Sequence, residues 1–480
     1  MQTIAILMPN GWGIRTYLLT DFLSTLAGRA RVIALTPAAD HPAFREAMRD
    51  KPVILEKLQL RPLNRWTRHL EDFFVYSQYY RQPNTLTRLY FHHLSIRMRW
   101  PTRAILQSKR FLAGSIGRPI SIGMQTGIEK LAYGMSQESA RVRNIFRQHK
   151  VDLVFSTMPL ISYFERPALW AAQACGIPMA CMISSWDNLA SKGRLPIRFD
   201  TNLTWSNLMK AELLRKYPFI RDGQVAVTGP PHFDFYRRPD LLMSREDFMK
   251  TIGGDPARPL ILWSAASTNQ YPNEPDILEA FYHEFSRREG ARGPQILVRA
   301  HPIGGLQRFG ALKERCPGLL FSETNPDDPK LLWTWTPSLD DIALLVNSLH
   351  HADVTVNNGS TMTLDACAMN RPVINLAYDS EPGSRTDRYV RDSYRYDHYQ
   401  SVLKAGAVRM AYSLEELITH IHTYLKDPHL EKEGRRALLD LQCGDVDGRA
   451  ARRAAEAVLR AVSEGASGSP SKYHRRRHAR

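Results

Sequence analysis

Val354-Thr355-Val356, then Asn357-Asn358-Gly359-Ser360-Thr361, then apolar residues at Leu364, Cys367 and Met369, form the stretch whose reading decides the fold. A short β-branched run, a polar turn with one glycine and a helical spacing read as strand, loop and helix. In open parallel sheets, ligands bind beyond the carboxyl ends of strands, where such loops enter helices. Glycine allows close backbone approach, and the amides and positive dipole end of the following helix favour an anion such as diphosphate. Ser360 and Thr361 add hydroxyl donors, and Ser360 equally suits the plain role of helix cap.

The neighbouring segments repeat the alternation. Leu260-Ile261-Leu262-Trp263, Gln295–Arg299 and Val373–Leu376 read as buried strands with helical segments between them. A helix from about Asp340 to His350 opens on Ser338-Leu339-Asp340-Asp341, a capping box with aspartate in the acidic place. Two more strand-end loops carry polar groups. Arg299-Ala300-His301-Pro302 places His301 at the rim, and Ser264-Ala265-Ala266-Ser267-Thr268 offers small residues around a phosphate-sized space. A structural histidine and an ordinary tight loop are the plainer readings of these two.

The first half has its own alternation. Thr3–Leu7 is a strand, Asn10-Gly11-Trp12-Gly13 a glycine loop, and Tyr17, Leu18, Phe22, Leu23 and Leu26 the apolar face of a helix. Strands follow at Arg31–Leu35, Val151–Phe155, Met179–Ile183, Asn202–Trp205 and Val225–Thr228. Between about 60 and 150 the pattern gives way to arginines interleaved with Trp, Phe and Tyr, which reads as a basic, mainly helical insertion. The expected organisation is a domain over 1–238 carrying that insertion, a second over 239–430, a helical segment over 431–462, and a disordered basic tail over 463–480.

Composition narrows the class. The 480 residues are 43% hydrophobic and 23% charged, ordinary for a globular protein. No window is apolar enough for a membrane span, and Ile4–Met8 lacks the basic flank of a secretion signal. Five scattered cysteines without metal-ligand spacing suit a reducing, cytoplasmic setting. The adjacent pairs Asp327-Asp328 and Asp340-Asp341 read as solvated caps, so no metal site is expected.

The net charge is +16, and Arg61–Lys150 holds 16 Lys/Arg against Glu71, Asp72, Glu129 and Glu138. Lys472, Arg475, Arg476, Arg477 and Arg480 add five more cations. Such a field attracts an anionic membrane face, a phosphorylated substrate or nucleic acid. Nucleic acid is the weakest of the three, because no RNA-binding signature or zinc knuckle accompanies the charge. Arginine among aromatics suits a peripheral surface at the inner face of the cell membrane.

Asn358-Gly359-Ser360-Thr361, Asp365 and Asn370-Arg371-Pro372-Val373-Ile374 resemble the donor-site signature of GT-B glycosyltransferases and of CDP-glycerol-type glycerophosphotransferases. Arg299-Ala300-His301-Pro302 resembles the histidine-proline element of those families. Val227–Asp234 is similar to their interdomain segment, and Thr204-Trp205-Ser206 with Lys210-Ala211-Glu212 to the strand and helix before it. Ser184–Leu189 with Ser191-Lys192-Gly193 is similar to a motif of bacterial surface-carbohydrate glycosyltransferases. The likeness spans roughly 150–430 and the opening strand, and leaves out the basic insertion.

The resemblance implies an α/β fold of two Rossmann-like domains facing across a cleft. It implies a nucleotide-sugar donor as substrate, no bound cofactor, and transfer without a metal to a lipid-linked or polysaccharide acceptor. Gly359, Ser360 and Thr361 would hold the donor diphosphate, with Asn358, Arg299, Ser264, Ser267 and Thr268 around it and His301 assisting. Asp365 stands where a glutamate is common and would take a sugar or ribose hydroxyl. Asn357 and Asp365 replace the glutamate pair of retaining members, which points to inversion. An inverting transfer needs a base to take the acceptor proton. Asp187 is the first candidate, ahead of Asp21 and His41, although a turn cap shared with Asn188 explains Asp187 as well. Gly11, Trp12, Gly13 and Asn188 would form the acceptor side. Polyol-phosphate transfer, sugar-nucleotide epimerisation and a non-catalytic basic binding protein remain open alternatives.

Overall fold

A computed structural model describes residues 1–60, 65–89, 100–117, 122–161, 163–192, 194–268, 270–290, 292–301, 305–322 and 337–466. Gly193, Pro302, Asp327, Asp328, residues 90–99 of the basic insertion and 467–480 of the basic tail lie outside the described residues. The chain clusters into two units. The first holds Met1–Thr87, Leu94–Asp234 and Gln442–Arg480; the second holds Arg88–His93 and Phe235–Leu441.

The first unit is built on seven strands: β1 (Gln2–Leu7), β2 (Ala30–Thr36), β3 (Ile54–Lys57), β4 (Leu153–Ser156), β5 (Met179–Met182), β6 (Thr201–Thr204) and β7 (Val225–Val227). Their order is β3-β2-β1-β4-β5-β6-β7, and every pairing is parallel. Ile4 to Leu7 of β1 are fully buried, as a central strand covered by helices on both faces requires. The chain leaves one edge of the sheet at β3 and returns to its centre at β4, so the switch in strand order lies between β1 and β4.

Three differences from the sequence reading stand out here. Asn10-Gly11-Trp12-Gly13 is not an open glycine loop: a helix begins at Gly11 and runs to Leu18, with Asn10 as its cap. The expected single helix breaks at Leu19 and restarts over Asp21–Ala27, where Thr20 Oγ1 accepts from Phe22 N. The edge strand β3 was not anticipated.

The insertion is helical, as expected. Helices Arg65–Arg81, Trp100–Leu112, Ile122–Glu129 and Gln137–His149 account for most of it, with wide π-type turns at Ala113–Gly117 and Lys130–Gly134. It is anchored by buried charge. Glu129 is fully buried and accepts from Arg166 Nη1 at 3.2 Å, and it also pairs with Arg194. Glu71 accepts from Tyr133 at 2.7 Å and pairs with Arg166 at 3.4 Å.

The helix Ala450–Ala466 also belongs to this unit and packs on β4, β6 and the helix Asp21–Ala27. It continues past Ser463, where a disordered tail was expected to begin. Asp234 caps it, accepting from Ala450 N at 3.0 Å and Ala451 N at 2.7 Å.

The second unit has six parallel strands: β8 (Leu260–Ser264), β9 (Gln295–Arg299), β10 (Leu319–Ser322), β11 (Val354–Asn357), β12 (Val373–Leu376) and β13 (Arg409–Ala411). Their order is β10-β9-β8-β11-β12-β13, a doubly wound sheet whose direction reverses between β8 and β11. The expected capping box is present, with Ser338 N donating to Asp341 Oδ2 at 3.0 Å and Asp341 N to Ser338 Oγ at 3.1 Å. The edge strands β10 and β13 were not anticipated.

Candidate functional site

The carboxyl edge of the second sheet carries a row of polar residues, one on each of five strands. The register sets Ser322 beside Arg299, Arg299 beside Ser264, Ser264 beside Asn357, and Asn357 beside Asn375. All five are buried. Buried polar side chains cost free energy unless they find partners, so a complete row of them calls for a reason. It coincides with the β8/β11 switch, where open α/β sheets form their ligand crevice.

Asn357 organises the turn that follows it. Its Oδ1 accepts from Asn375 Nδ2 at 2.9 Å, Thr363 Oγ1 at 3.2 Å and Ser360 N at 3.3 Å. Three donors on one oxygen fix the orientation of the amide, and its Nδ2 has no partner among the described residues. Tyr399 OH donates to Asn375 Oδ1 at 2.7 Å and lies 3.1 Å from Thr363 Oγ1. Gly359 has φ +57°, and a Cβ there would stand 3.0 Å from Tyr394 Cε1. Only glycine fits that position without strain.

Some of the helix-start amides are already used. Ser360 Oγ accepts from Met362 N at 2.9 Å, a turn bond, while the helix cap itself is Thr361, and Ser360 N is held by Asn357. Fewer of the turn's amides are therefore available than the sequence suggested, and the Asn357 amide, without a partner among the described residues, adds a donor that it did not suggest. Asn358, Gly359, Ser360 and Thr361 are all half-buried. Asp365 lies within the helix Met362–Ala368, and its Oδ1 accepts from Tyr236 OH at 2.6 Å.

The loop after β8 is pinned by a residue that the sequence reading passed over. Glu274 is fully buried; it accepts from Ala266 N and Trp263 Nε1, each at 3.0 Å, and pairs with Arg308. Burial pushes its carboxyl up to about 7, with Arg308 opposing the shift. Ser267 Oγ donates to Gln270 Oε1 at 3.0 Å, and Thr268 is exposed. Arg299 Nη1 donates to Ser322 Oγ at 3.0 Å, and His301 follows half-buried beyond the end of β9. Arg385–Arg388 open the helix Arg385–Ser393, where Asp387 is buried and paired with Arg391.

In the first unit the β1/β4 switch is equally crowded. Gly13 packs so closely that a Cβ would meet Met8 Cβ and Thr157 Oγ1, each at 3.2 Å. Asn10 Oδ1 accepts from Gly13 N at 3.3 Å, while its Nδ2 is buried without a partner. Gly11 is buried and Trp12 half-buried in the same helical turn. Asp187 opens the short helix Asn188–Ser191. Its carboxylate accepts from Ser185 Oγ at 2.6 Å, Asn188 Nδ2 at 3.3 Å and Ser191 Oγ. Side chains of its own turn thus hold the candidate base. Asp21 and His41 are exposed at helix starts.

Two titratable groups here were not singled out. Glu165 accepts from Met158 N at 3.2 Å and from Ser156 Oγ, and burial pushes its carboxyl up to about 8. His232, half-buried, is held below its ordinary value by desolvation, with the Arg15 charge acting in the same direction.

Among the described residues one metal-like group occurs, the ligand atoms of Glu279, His283 and Cys316, all within 4.8 Å. It lies before the amino end of β10, away from the polar row, and Arg315 pairs with Glu279 at 3.1 Å. The five cysteines are free thiols. No helix among the described residues is long and apolar enough to cross a membrane.

No family model matches the sequence, and no curated protein matches it. Solved structures do. The chain is similar to S. aureus MnaA in complex with UDP, at 10% identity over 95% of this chain and 96% of that one, with a TM-score of 0.54. It is similar to the UDP-GlcNAc 2-epimerase of Neisseria meningitidis bound to UDP-GlcNAc, at 11% identity over 96% and 100% of the two chains, with a TM-score of 0.51. A glycosyltransferase from Rickettsia africae matches at 11% identity over 98% and 99%, with a TM-score of 0.51. Likeness at this identity establishes the fold, two parallel α/β domains of the GT-B kind.

Proposed function

We propose that the chain is a nucleotide-sugar enzyme whose second unit holds the nucleoside diphosphate at the β8/β11 switch. The observation that carries this reading is the unpaired, buried Asn357 amide in the middle of the polar row, beside a turn that only Gly359 can make. A buried donor without an acceptor costs about 1–3 kcal/mol, which a phosphate oxygen would recover. Arg299, His301 and the half-buried turn Asn358–Thr361 supply further polar contacts, Ser264, Ser267 and Thr268 border the phosphate, and Asp365 meets a ribose or sugar hydroxyl. UDP and UDP-GlcNAc in structures of the same fold support a nucleotide sugar as the ligand.

Two reactions suit this binding mode. The first is inverting transfer of the sugar to a lipid-linked or polysaccharide acceptor. Asp187 is the base, and Gly11, Trp12, Gly13 and Asn188 lie on the acceptor side. The second is epimerisation of the bound sugar, and the structural comparisons lean toward it, since UDP-GlcNAc 2-epimerases are prominent among them. The cytoplasm, at the inner membrane face, is the setting proposed for either reaction.

Thermal shifts with UDP, GDP, CDP and CMP test the binding claim. No stabilisation by any of them overturns it and favours a binding protein, while a strong CDP preference favours polyol-phosphate transfer. Incubation with UDP-GlcNAc alone, followed by NMR, then separates the two reactions. A C2 epimer formed without acceptor assigns epimerisation; turnover that requires an added lipid acceptor assigns transfer.

A further inference from the structure

The insertion helices are apolar on two faces. One face is buried in the unit, through Leu106 and Ala113 on one stretch and Tyr133 on another. The other face is open. Ile105, Leu112 and Ile116, spaced seven and then four residues apart, form a stripe along the stretch 100–117, and all three are exposed. Leu131 and Met135, four apart, repeat the pattern, with Met135 78% exposed. Phe111 and Trp66 add 71% and 82% exposed aromatic side chains. A globular helix ordinarily turns its apolar stripe inward and covers the rest with polar groups. Large exposed apolar patches mark interaction sites.

Charge identifies the occupant. All four carboxylates of Arg61–Lys150 are paired: Asp72 with Lys109 at 2.7 Å, Glu138 with Arg141 at 2.6 Å, and Glu71 and Glu129 with cations of the unit's body. Across Arg61–Lys150 the sequence holds 16 Lys/Arg against these four carboxylates, and two of the four are taken up by Arg166 and Arg194 outside the segment. Lys130 lies beside the second stripe and Arg68 beside Trp66 in the sequence, and both are exposed. A partner of low polarity would match the stripes and not the cations; a polyanion would match the cations and not the stripes. An anionic bilayer matches both, with aliphatic side chains entering the head-group boundary and long cationic ones reaching phosphates.

We infer that the described insertion helices Arg65–Arg81, Trp100–Gly117 and Ile122–Gly134 lie flat on an anionic lipid surface, with Ile105, Phe111, Leu112, Ile116, Leu131 and Met135 entering it. The inference does not depend on the nucleotide-sugar reading. If both hold, the enzyme works where a lipid-linked acceptor is found.

The test is co-sedimentation of the full chain with phosphatidylcholine vesicles and with vesicles of phosphatidylcholine mixed with phosphatidylglycerol. Binding to the mixed vesicles only, reversed by high salt, is expected. Ile105→Gln with Leu112→Gln and Ile116→Gln should weaken that binding at least tenfold and leave the melting temperature unchanged. Leu131→Gln with Met135→Gln provides an independent second variant should the first fail to fold. Absence of binding to mixed vesicles, equal binding to both kinds, or full binding by the folded variants overturns the inference. So does self-association in sedimentation velocity that the same substitutions abolish while vesicles have no effect. A retained thermal shift with UDP in any of these cases leaves the nucleotide reading standing.

Discussion

Asn357 and Asn375 face one another across β11 and β12, and the Asn375 amide donates to Asn357 Oδ1 at 2.9 Å. The bond turns the Asn357 amide nitrogen away from its neighbours and leaves it as the unpaired donor of the candidate site. Asn357→Asp keeps the acceptor oxygen and converts that donor into an anion. A hydrogen bond to a charged group contributes about 1.5–3 kcal/mol, so UDP affinity should fall roughly ten- to a hundredfold. Calorimetric titration of the folded variant checks this. Unchanged affinity would remove Asn357 from the phosphate site.

Gly359→Ala tests the turn itself. A left-handed residue with a Cβ costs about 1–2 kcal/mol, and here the new methyl group also presses on Tyr394. Tyr394 OH donates to Leu376 O at 2.6 Å, so the ring cannot retreat without giving up that bond. Stability should drop by about 2 kcal/mol or more in urea unfolding. Nucleotide affinity should fall with it, since the turn must move.

The sequence disclosed the central strands and, of the four edge strands, only β7. Leu260–Ser264 and Ile4–Leu7 are covered on both faces and read as continuous apolar runs. Ile54–Lys57, Leu319–Ser322 and Arg409–Ala411 all lie at sheet edges, where shorter and more mixed runs suffice, and all three escaped notice. The site divides in the same way. Loops after central strands follow from topology, so Ser264, Arg299 and Gly359 could be named from the sequence as candidates. The link from Asn357 to Asn375 and on to Tyr399 joins residues far apart in the chain, and no local pattern announces it. Glu165 and Glu274 look like acidic helix starts ahead of Pro167 and Pro275. Both are buried because they bond back to the central strand ends just before them, Glu165 to Ser156 and Met158, Glu274 to Trp263 and Ala266.

Glu165 should make stability depend on pH. Its carboxyl rises from an ordinary 4.5 to about 8 in the folded chain. The folded state therefore holds the proton more tightly than the unfolded one. This contribution is complete below 4.5 and is lost as pH climbs to 8. The span corresponds to a loss on the order of 4 kcal/mol. Glu165→Gln removes the titration and keeps an acceptor for Met158 N. Unfolding from pH 5 to 9 should show the wild type falling relative to the variant. Parallel curves would mean that the carboxyl is already ionised in the folded chain.

Glu129 and Tyr133 separate buried charge from buried polarity in anchoring the insertion. Glu129→Gln leaves Arg166 with Glu71 alone and takes the carboxylate from Arg194, both guanidiniums still being buried. Breaking a buried pair in this way costs about 3–5 kcal/mol. Tyr133→Phe removes one hydrogen bond to Glu71, for about 1 kcal/mol. Because the helix Arg65–Arg81 also rests on Arg194, whose guanidinium lies 5.2 Å from the Phe74 ring centroid, the larger loss should spread along that helix. Hydrogen exchange should then show Arg65–Arg81 opening in the glutamate variant and staying protected in the tyrosine one. Equal protection in both would mean that packing, and not the buried ion cluster, fastens the insertion to its domain.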